Sequence, residues 1–308
     1  MTEVADRRGA ARRVQRAAPV PLEQRLMGFA RREIDGLYAL AVCLTMLFII
    51  QLGTRGGVLL VALVLGYAAL RRTELVELTF RRGYALAIPA FALLSTAWSD
   101  VPRESFKYGL EFGLTAFAGL LLSSARHQDK VIFGIFAAFT IYGVVALSFG
   151  HSVTMGAMGA RAFSGLTEGK NLFGEITSTG ILASLAAGAI ALRNRRWLWA
   201  GVAGVSILLL LYACVAAHSA GALVGLALAA GAFIGLALVR HLSAWGRGGV
   251  LGLVGLTGVA VALSYSWFTN LLVNAASRYF DKDPTLTGRT YIWYRADGLI
   301  AERPWLGR

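Results

Sequence analysis

Charge is scarce in this chain. Of its 308 residues only 15% are Asp, Glu, Lys or Arg, against 56% hydrophobic, and the mean hydropathy is +0.61. A soluble domain carries about 25% charged residues. That deficit excludes a soluble enzyme, and the apolar surplus excludes a disordered chain. Cysteine is scarcer still. Cys43 and Cys214 both sit inside long apolar runs, and there is no Cys-x-x-Cys motif or His-rich cluster. A disulfide-stapled secreted module and a zinc site are thereby excluded, and the two cysteines read as small buried hydrophobes. No internal period of about 20–50 residues is visible, so no repeat architecture is expected.

Long apolar runs are what the chain does have. A helix rises about 1.5 Å per residue, so roughly 20 apolar residues cross a hydrocarbon core of ~30 Å. Nine runs are candidates: 35–53, 56–70, 83–98, 106–123, 130–149, 171–192, 197–217, 219–239 and 249–267. The second is short. The seventh and eighth meet at Ala217-His218-Ser219, a tight turn between two spans. The expected fold is all-α, a polytopic membrane helix bundle of about nine spans. Gly221/Gly225 and Gly231/Gly235 have small-xxx-small spacing, which predicts close helix approach there.

The basic excess is an orientation signal. Residues 1–33 hold eight arginines, too many and over too long a stretch for a cleaved signal peptide. With that end inside and the spans alternating, 19 of the 30 Lys and Arg face the cytoplasm. This is the side on which basic loops accumulate. A nucleic-acid partner is not expected, because no soluble basic domain exists to bind one. Three regions follow: residues 1–33, a basic cytoplasmic tail expected to be disordered; 34–267, the bundle; and 268–308, the incomplete start of a large periplasmic loop. That last stretch carries Arg278, Lys282, Arg289, Arg295, Arg303 and Arg308, on the face where basic residues are disfavoured. A phosphate-bearing substrate would account for them.

Four external segments could carry chemistry. Leu94-Ser-Thr-Ala-Trp98-Ser-Asp-Val-Pro102 reads as a helix exit and turn. Ser105 is expected to cap the following helix, and Lys107 and Glu111 to pair across one turn. His151 to Asn171 is a Gly-rich loop holding Arg161, Glu168, Lys170 and Asn171 together. Arginine offers a planar fork for phosphate oxygens, and Asn171 is placed where a helix N-terminus favours an anion. The bland alternative is a connector with a capping Asn. His218, at the tight turn, reads as an interfacial hydrogen-bonding residue. Beyond Thr287, Ile292, Trp293, Ala296, Leu299 and Ile300 recur at helical spacing. They predict an amphipathic helix on the outer membrane face, ended by Pro304. Asp281 and Asp283 are too few to make a metal site.

These segments resemble the O-antigen ligase and O-antigen or exopolysaccharide polymerase family. The likeness rests on Leu94-Ser-Thr-Ala-Trp98-Ser-x-x-Pro102, Arg161…Ser-Gly…Lys170-Asn171…Gly174, Thr287-Gly288-Arg289-Thr-x-Ile292-Trp293 and Ile300-Ala-Glu302-Arg303-Pro304-Trp-Leu-Gly307. In order and spacing it extends over roughly residues 30–308. It implies a multi-pass inner-membrane transferase working on the periplasmic face. Such an enzyme passes a glycan from undecaprenyl pyrophosphate to an acceptor glycan or lipid A core, without a cofactor or metal. Arg161 and Arg289 match the family's motif arginines and would clamp pyrophosphate, with Lys170 and Asn171 lining the same site. The family's catalytic His would lie beyond Arg308, so the chain is expected to be truncated within the large loop. Two other readings remain at this point: a permease or flippase for an anionic or lipid-linked substrate, and an inactive remnant. Few ionisable groups at span centres count against the transporter.

Overall fold

The computed structural model describes residues 22–72, 78, 81–155, 160–240, 242–264 and 289–302. The described chain is a bundle of helices with one small β-hairpin. Helix α1 (Leu22–Leu47) is followed by the single turn α2 (Ile49–Leu52) and by α3 (Thr54–Leu70). Helix α4 (Ala87–Leu94) lies between two 3₁₀ turns, Gly83–Leu86 and Ser95–Ala97. Then come α5 (Pro102–Ser123), α6 (Gln128–Phe149), β1 (His151–Met155) and β2 (Ala160–Gly165). After them follow α7 (Lys170–Arg193), α8 (Trp197–Ala216), α9 (Ala220–Val239), α10 (Ala244–Leu263) and α11 (Arg289–Glu302). Within the described residues, which do not include 265–267, the nine expected runs fall on this helical framework and its turns. By length and composition, α6, α7, α8 and α9 are long and apolar enough to cross a membrane, and α3 and the segment Gly83–Ala97 are shorter apolar helices. The protein is thus an all-α polytopic membrane bundle, with four such helices among the described residues. Helix α1 begins at Leu22, so helical structure extends into the stretch expected as a disordered tail.

The helix boundaries follow local chemistry. Helix α5 opens with Pro102 at its first position, where a missing N–H costs nothing. Ser105 therefore lies inside the helix instead of capping it, and bonds to Ser99 across 2.6 Å between hydroxyls. The expected Lys107–Glu111 pair also does not form. Lys107 lies over the Tyr108 ring, 5.0 Å from its centroid. At the other end of α5, Gln128 donates to the carbonyls of Leu122, Ser123 and Ala125 at 3.0–3.2 Å. These are the carbonyls that a helix end leaves without partners.

Close helix approach occurs at glycine, but not where the spacing pointed. At Gly221, Gly225, Gly231 and Gly235 no atom lies within 4 Å of the place a Cβ would take. The tight crossing is between α1 and α6. A Cβ on Gly134 would stand 2.2 Å from the Gly36 carbonyl oxygen. Small-xxx-small spacing marks where close approach is permitted, and the neighbour decides whether it happens. Between α6, α7 and α8, the hydroxyl of Ser206 lies 2.8 Å from that of Thr140 and 3.1 Å from that of Ser184. Such bonds join helices in a lipid environment.

Two sets of contacts mark the two ends of the bundle. At one end the Asp35 carboxylate is fully buried. One oxygen accepts from Arg71 and from the Tyr67 hydroxyl (2.7 Å), and the other accepts from the backbone N–H of His127 (3.1 Å). Tyr67 stacks on Tyr38 at 3.8 Å, and Lys130 pairs with Glu33. At the other end Gln51 donates to the Leu166 carbonyl, and Lys170 to that of His218. Loops that the charge count assigns to one side are thus joined to one another, at each end.

Candidate functional site

The site is built at the end of the bundle that holds Leu166, Lys170 and His218. In the stretch expected as loop, residues 151–155 and 160–165 pair as two antiparallel strands, with Arg161 opposite Thr154. Ala162 and Ser164 are buried while Arg161 is exposed, the alternation of a strand with one covered face. The strand is anchored by Phe163, whose ring meets Phe173 of α7 edge-on at 5.4 Å. Gly165 then turns the chain with a left-handed φ of 59°, and a Cβ there would stand 2.3 Å from the Phe173 ring. Glycine answers both demands. Thr167 fixes the turn by donating to the carbonyls of Ser164 and Gly169, each at 2.9 Å.

Helix α7 starts directly after this turn. Gly169 takes its N-cap position, and Lys170 and Asn171 form its first turn. Lys170 Nζ donates to the His218 carbonyl at 3.3 Å, and Ser219 Oγ donates to Asn171 Oδ1 at 3.1 Å. The tight turn between α8 and α9 is thereby tied to the start of α7. His218 holds a left-handed φ of 47° within it, a conformation uncommon outside glycine. Gly174 lets α9 close in: a Cβ there would stand 2.9 Å from the Cβ atoms of both Ser219 and Ala222. The positive N-terminal ends of α7 and α9 therefore lie side by side, an arrangement that favours negative charge nearby.

Below this junction a pocket of about 330 Å³ opens between α7 and α9. Asn171, Glu175 and Ser178 line it from α7, and Ser219, Gly221, Ala222 and Gly225 from the other side. Residues 171, 175 and 178 recur at helical spacing and make one polar stripe. Glu175 is the sole acidic residue of α7. Ser178 Oγ donates to the backbone carbonyl of Glu175, and among the described residues the Glu175 carboxylate itself has no hydrogen-bond or ion-pair partner.

The structure thus brings Lys170 and Asn171 together with His218 and Ser219, and places Arg161 on the hairpin packed against the same helix. Arg289 opens α11, but its side chain lies outside what is described, as do Asp281, Asp283 and Pro304. Tyr291, Ile292, Trp293, Leu299 and Ile300 of α11 are all exposed, and Ala296 is half-buried. His151 is exposed on β1. Among the described residues no group of three His, Cys, Asp or Glu could hold a metal. Glu175 and Ser178 are not among the candidates that the sequence offers. The spacing of Asn171, Glu175 and Ser178 within an apolar run was the signal that could have found them.

Comparison with known proteins agrees with the motifs. Residues 205–308 match the family model described as O-antigen ligase, a stretch that takes in Arg289 and the α9 wall of the pocket. Over 289 residues the chain is 27% identical to the exopolysaccharide production protein ExoQ of Rhizobium meliloti (strain 1021). That match covers 89% of this chain and 62% of the relative, so the chain spans less than two thirds of the relative's length. No solved structure matches. Both matches agree with the resemblance that the motifs carry to the O-antigen ligase and polysaccharide polymerase family.

Proposed function

We propose that the protein takes part in surface polysaccharide synthesis as a membrane glycan transferase. In this reading it passes a glycan from undecaprenyl pyrophosphate to an acceptor hydroxyl on the periplasmic face of the inner membrane. The acceptor is a second glycan or a lipid A core. The N-terminus is cytoplasmic, residues 34–267 form the bundle, and residues 268–308 lie in the periplasm. The observation that carries the reading is the joining of Lys170 and Asn171 at the start of α7 to the His218–Ser219 turn, with Arg161 on the hairpin beside them.

The chemistry suits those groups. The acceptor oxygen attacks the anomeric carbon, and the bond to the pyrophosphate oxygen breaks. The departing lipid pyrophosphate is a stable anion, so it calls for cations and N–H donors more than for an acid. Arg161 and Arg289 would hold its oxygens as planar forks, and the start of α7 would add a positive helix end. The acceptor hydroxyl must lose a proton and gains from a base; no described residue is assigned that part. The test is polymer or ligation product in cells carrying Arg161→Ala or Arg289→Ala. Product should fall below detection while the protein remains in the membrane at normal level. Unchanged product in both would overturn the reading.

A further inference from the structure

Apart from Asn171 at its rim, the pocket between α7 and α9 is not used by the pyrophosphate chemistry, and its composition does not suit an anion. Its one ionisable lining residue is Glu175, so it would repel a phosphate. The nearby cation, Lys170, is turned to the His218 carbonyl. Glu175 is exposed on the second turn of α7, a helix apolar enough to cross a membrane, and ionisable residues in such helices mark sites where a polar ligand is met. Among the described residues its carboxylate has no ion-pair or hydrogen-bond partner.

We infer that this pocket is a neutral-sugar subsite, in which Glu175 receives ring hydroxyls of the glycan. The inference rests on the transferase reading and names the part of the substrate that the α7–α9 pocket would take. A carboxylate has two acceptor oxygens and can take hydrogen bonds from adjacent hydroxyls of one ring. Asn171 and Ser178 stand one turn to either side of it on the same stripe and extend the polar wall. The opposite wall, Gly221, Ala222 and Gly225, is small and apolar and suits the C–H face of a pyranose. The volume is at the lower end of the range for small-ligand pockets, which fits a sugar unit and not a polymer. The subsite adjoins the first turn of α7, so a ring held there would lie next to a pyrophosphate held at that turn.

The test uses the chain in lipid nanodiscs and two probes, the neutral repeat oligosaccharide released from the host's own polysaccharide and inorganic pyrophosphate. Two variants are compared with wild type. Glu175→Gln keeps the size of the side chain and removes its charge. Gly225→Leu fills the pocket from a position with open space around it. Titration calorimetry should show oligosaccharide affinity reduced about tenfold or more in both, as for a lost hydrogen bond to a charged group, with pyrophosphate affinity unchanged. Oligosaccharide binding that is equal in wild type and both variants would overturn the subsite and leave the transferase reading standing. So would wild type that binds pyrophosphate but not the sugar. Normal polymer in cells lacking the gene would instead overturn the transferase reading, and the subsite with it.

Discussion

The Ser219 hydroxyl donates to the Asn171 side-chain oxygen across 3.1 Å, joining the starts of α9 and α7 where the pocket begins. This bond separates two roles for Asn171. Asn171→Asp keeps an acceptor for Ser219, and an acidic residue in the first turn of a helix is well tolerated. It also puts negative charge beside the proposed pyrophosphate site. The expected outcome is a protein with the thermal stability of wild type and product reduced about tenfold or more, since like charge repels the anionic leaving group. Normal product from Asn171→Asp would remove Asn171 from the site.

Gly174 and Gly221 face the same helix junction and should respond in opposite ways. A Cβ at Gly174 would press on Ser219 and Ala222, whereas one at Gly221 meets nothing. Gly174→Val is expected to destabilise by about 1–3 kcal/mol, the cost of overpacking. Gly221→Ala should be neutral or stabilising by about 0.4–1 kcal/mol, since alanine restricts the unfolded chain more than glycine does. Thermal unfolding of both variants in one detergent decides the matter.

The buried Asp35–Arg71 pair predicts a large and partly reversible loss. Asp35→Ala leaves the Arg71 guanidinium, with its side chain 12% exposed, without its carboxylate. Breaking a buried pair in this way costs about 3–5 kcal/mol. Adding Arg71→Met to Asp35→Ala should restore part of the stability, because the guanidinium that the Asp35 carboxylate balanced is then also gone. A double variant no more stable than Asp35→Ala would mean that the pair does not carry the loss.

The proposed orientation predicts the outcome of labelling with a membrane-impermeant maleimide. In a background with Cys43→Ala and Cys214→Ala, a cysteine at exposed Glu168 should react from outside the intact inner membrane. One at exposed Arg193, at the far end of α7, should react only after permeabilisation. The opposite pattern would invert the topology and place the proposed site in the cytoplasm.

How much of this was legible in the sequence depends on range. Long apolar runs locate helices because burial in lipid demands continuous hydrophobicity, and the described residues of the nine runs lie on the helical framework, of which four helices are long and apolar enough to span. Short-range inference was less secure. The helix start at Pro102 displaced Ser105 from the cap, since the ring of proline fixes the first turn on its own. The hairpin was hidden because its alternation extends over only a few residues of each strand. The pocket was beyond reach for another reason: Asn171 and Ser219 are 48 positions apart. Helical spacing shows that Glu175 and Ser178 share a stripe with Asn171, but not that glycines of α9 stand opposite.

The partners of Asp35 also set an order of events during synthesis. Tyr67 and Arg71 follow it by 32 and 36 positions, but the His127 N–H follows by 92. Domains generally fold from the N-terminus as the chain is made. Helices α1 and α3 can therefore begin the knot early, while its last bond waits for the turn into α6. The knot becomes complete only as the helix that carries the chain toward the hairpin begins. By then the foundation at one end is in place before the end that carries the proposed site exists.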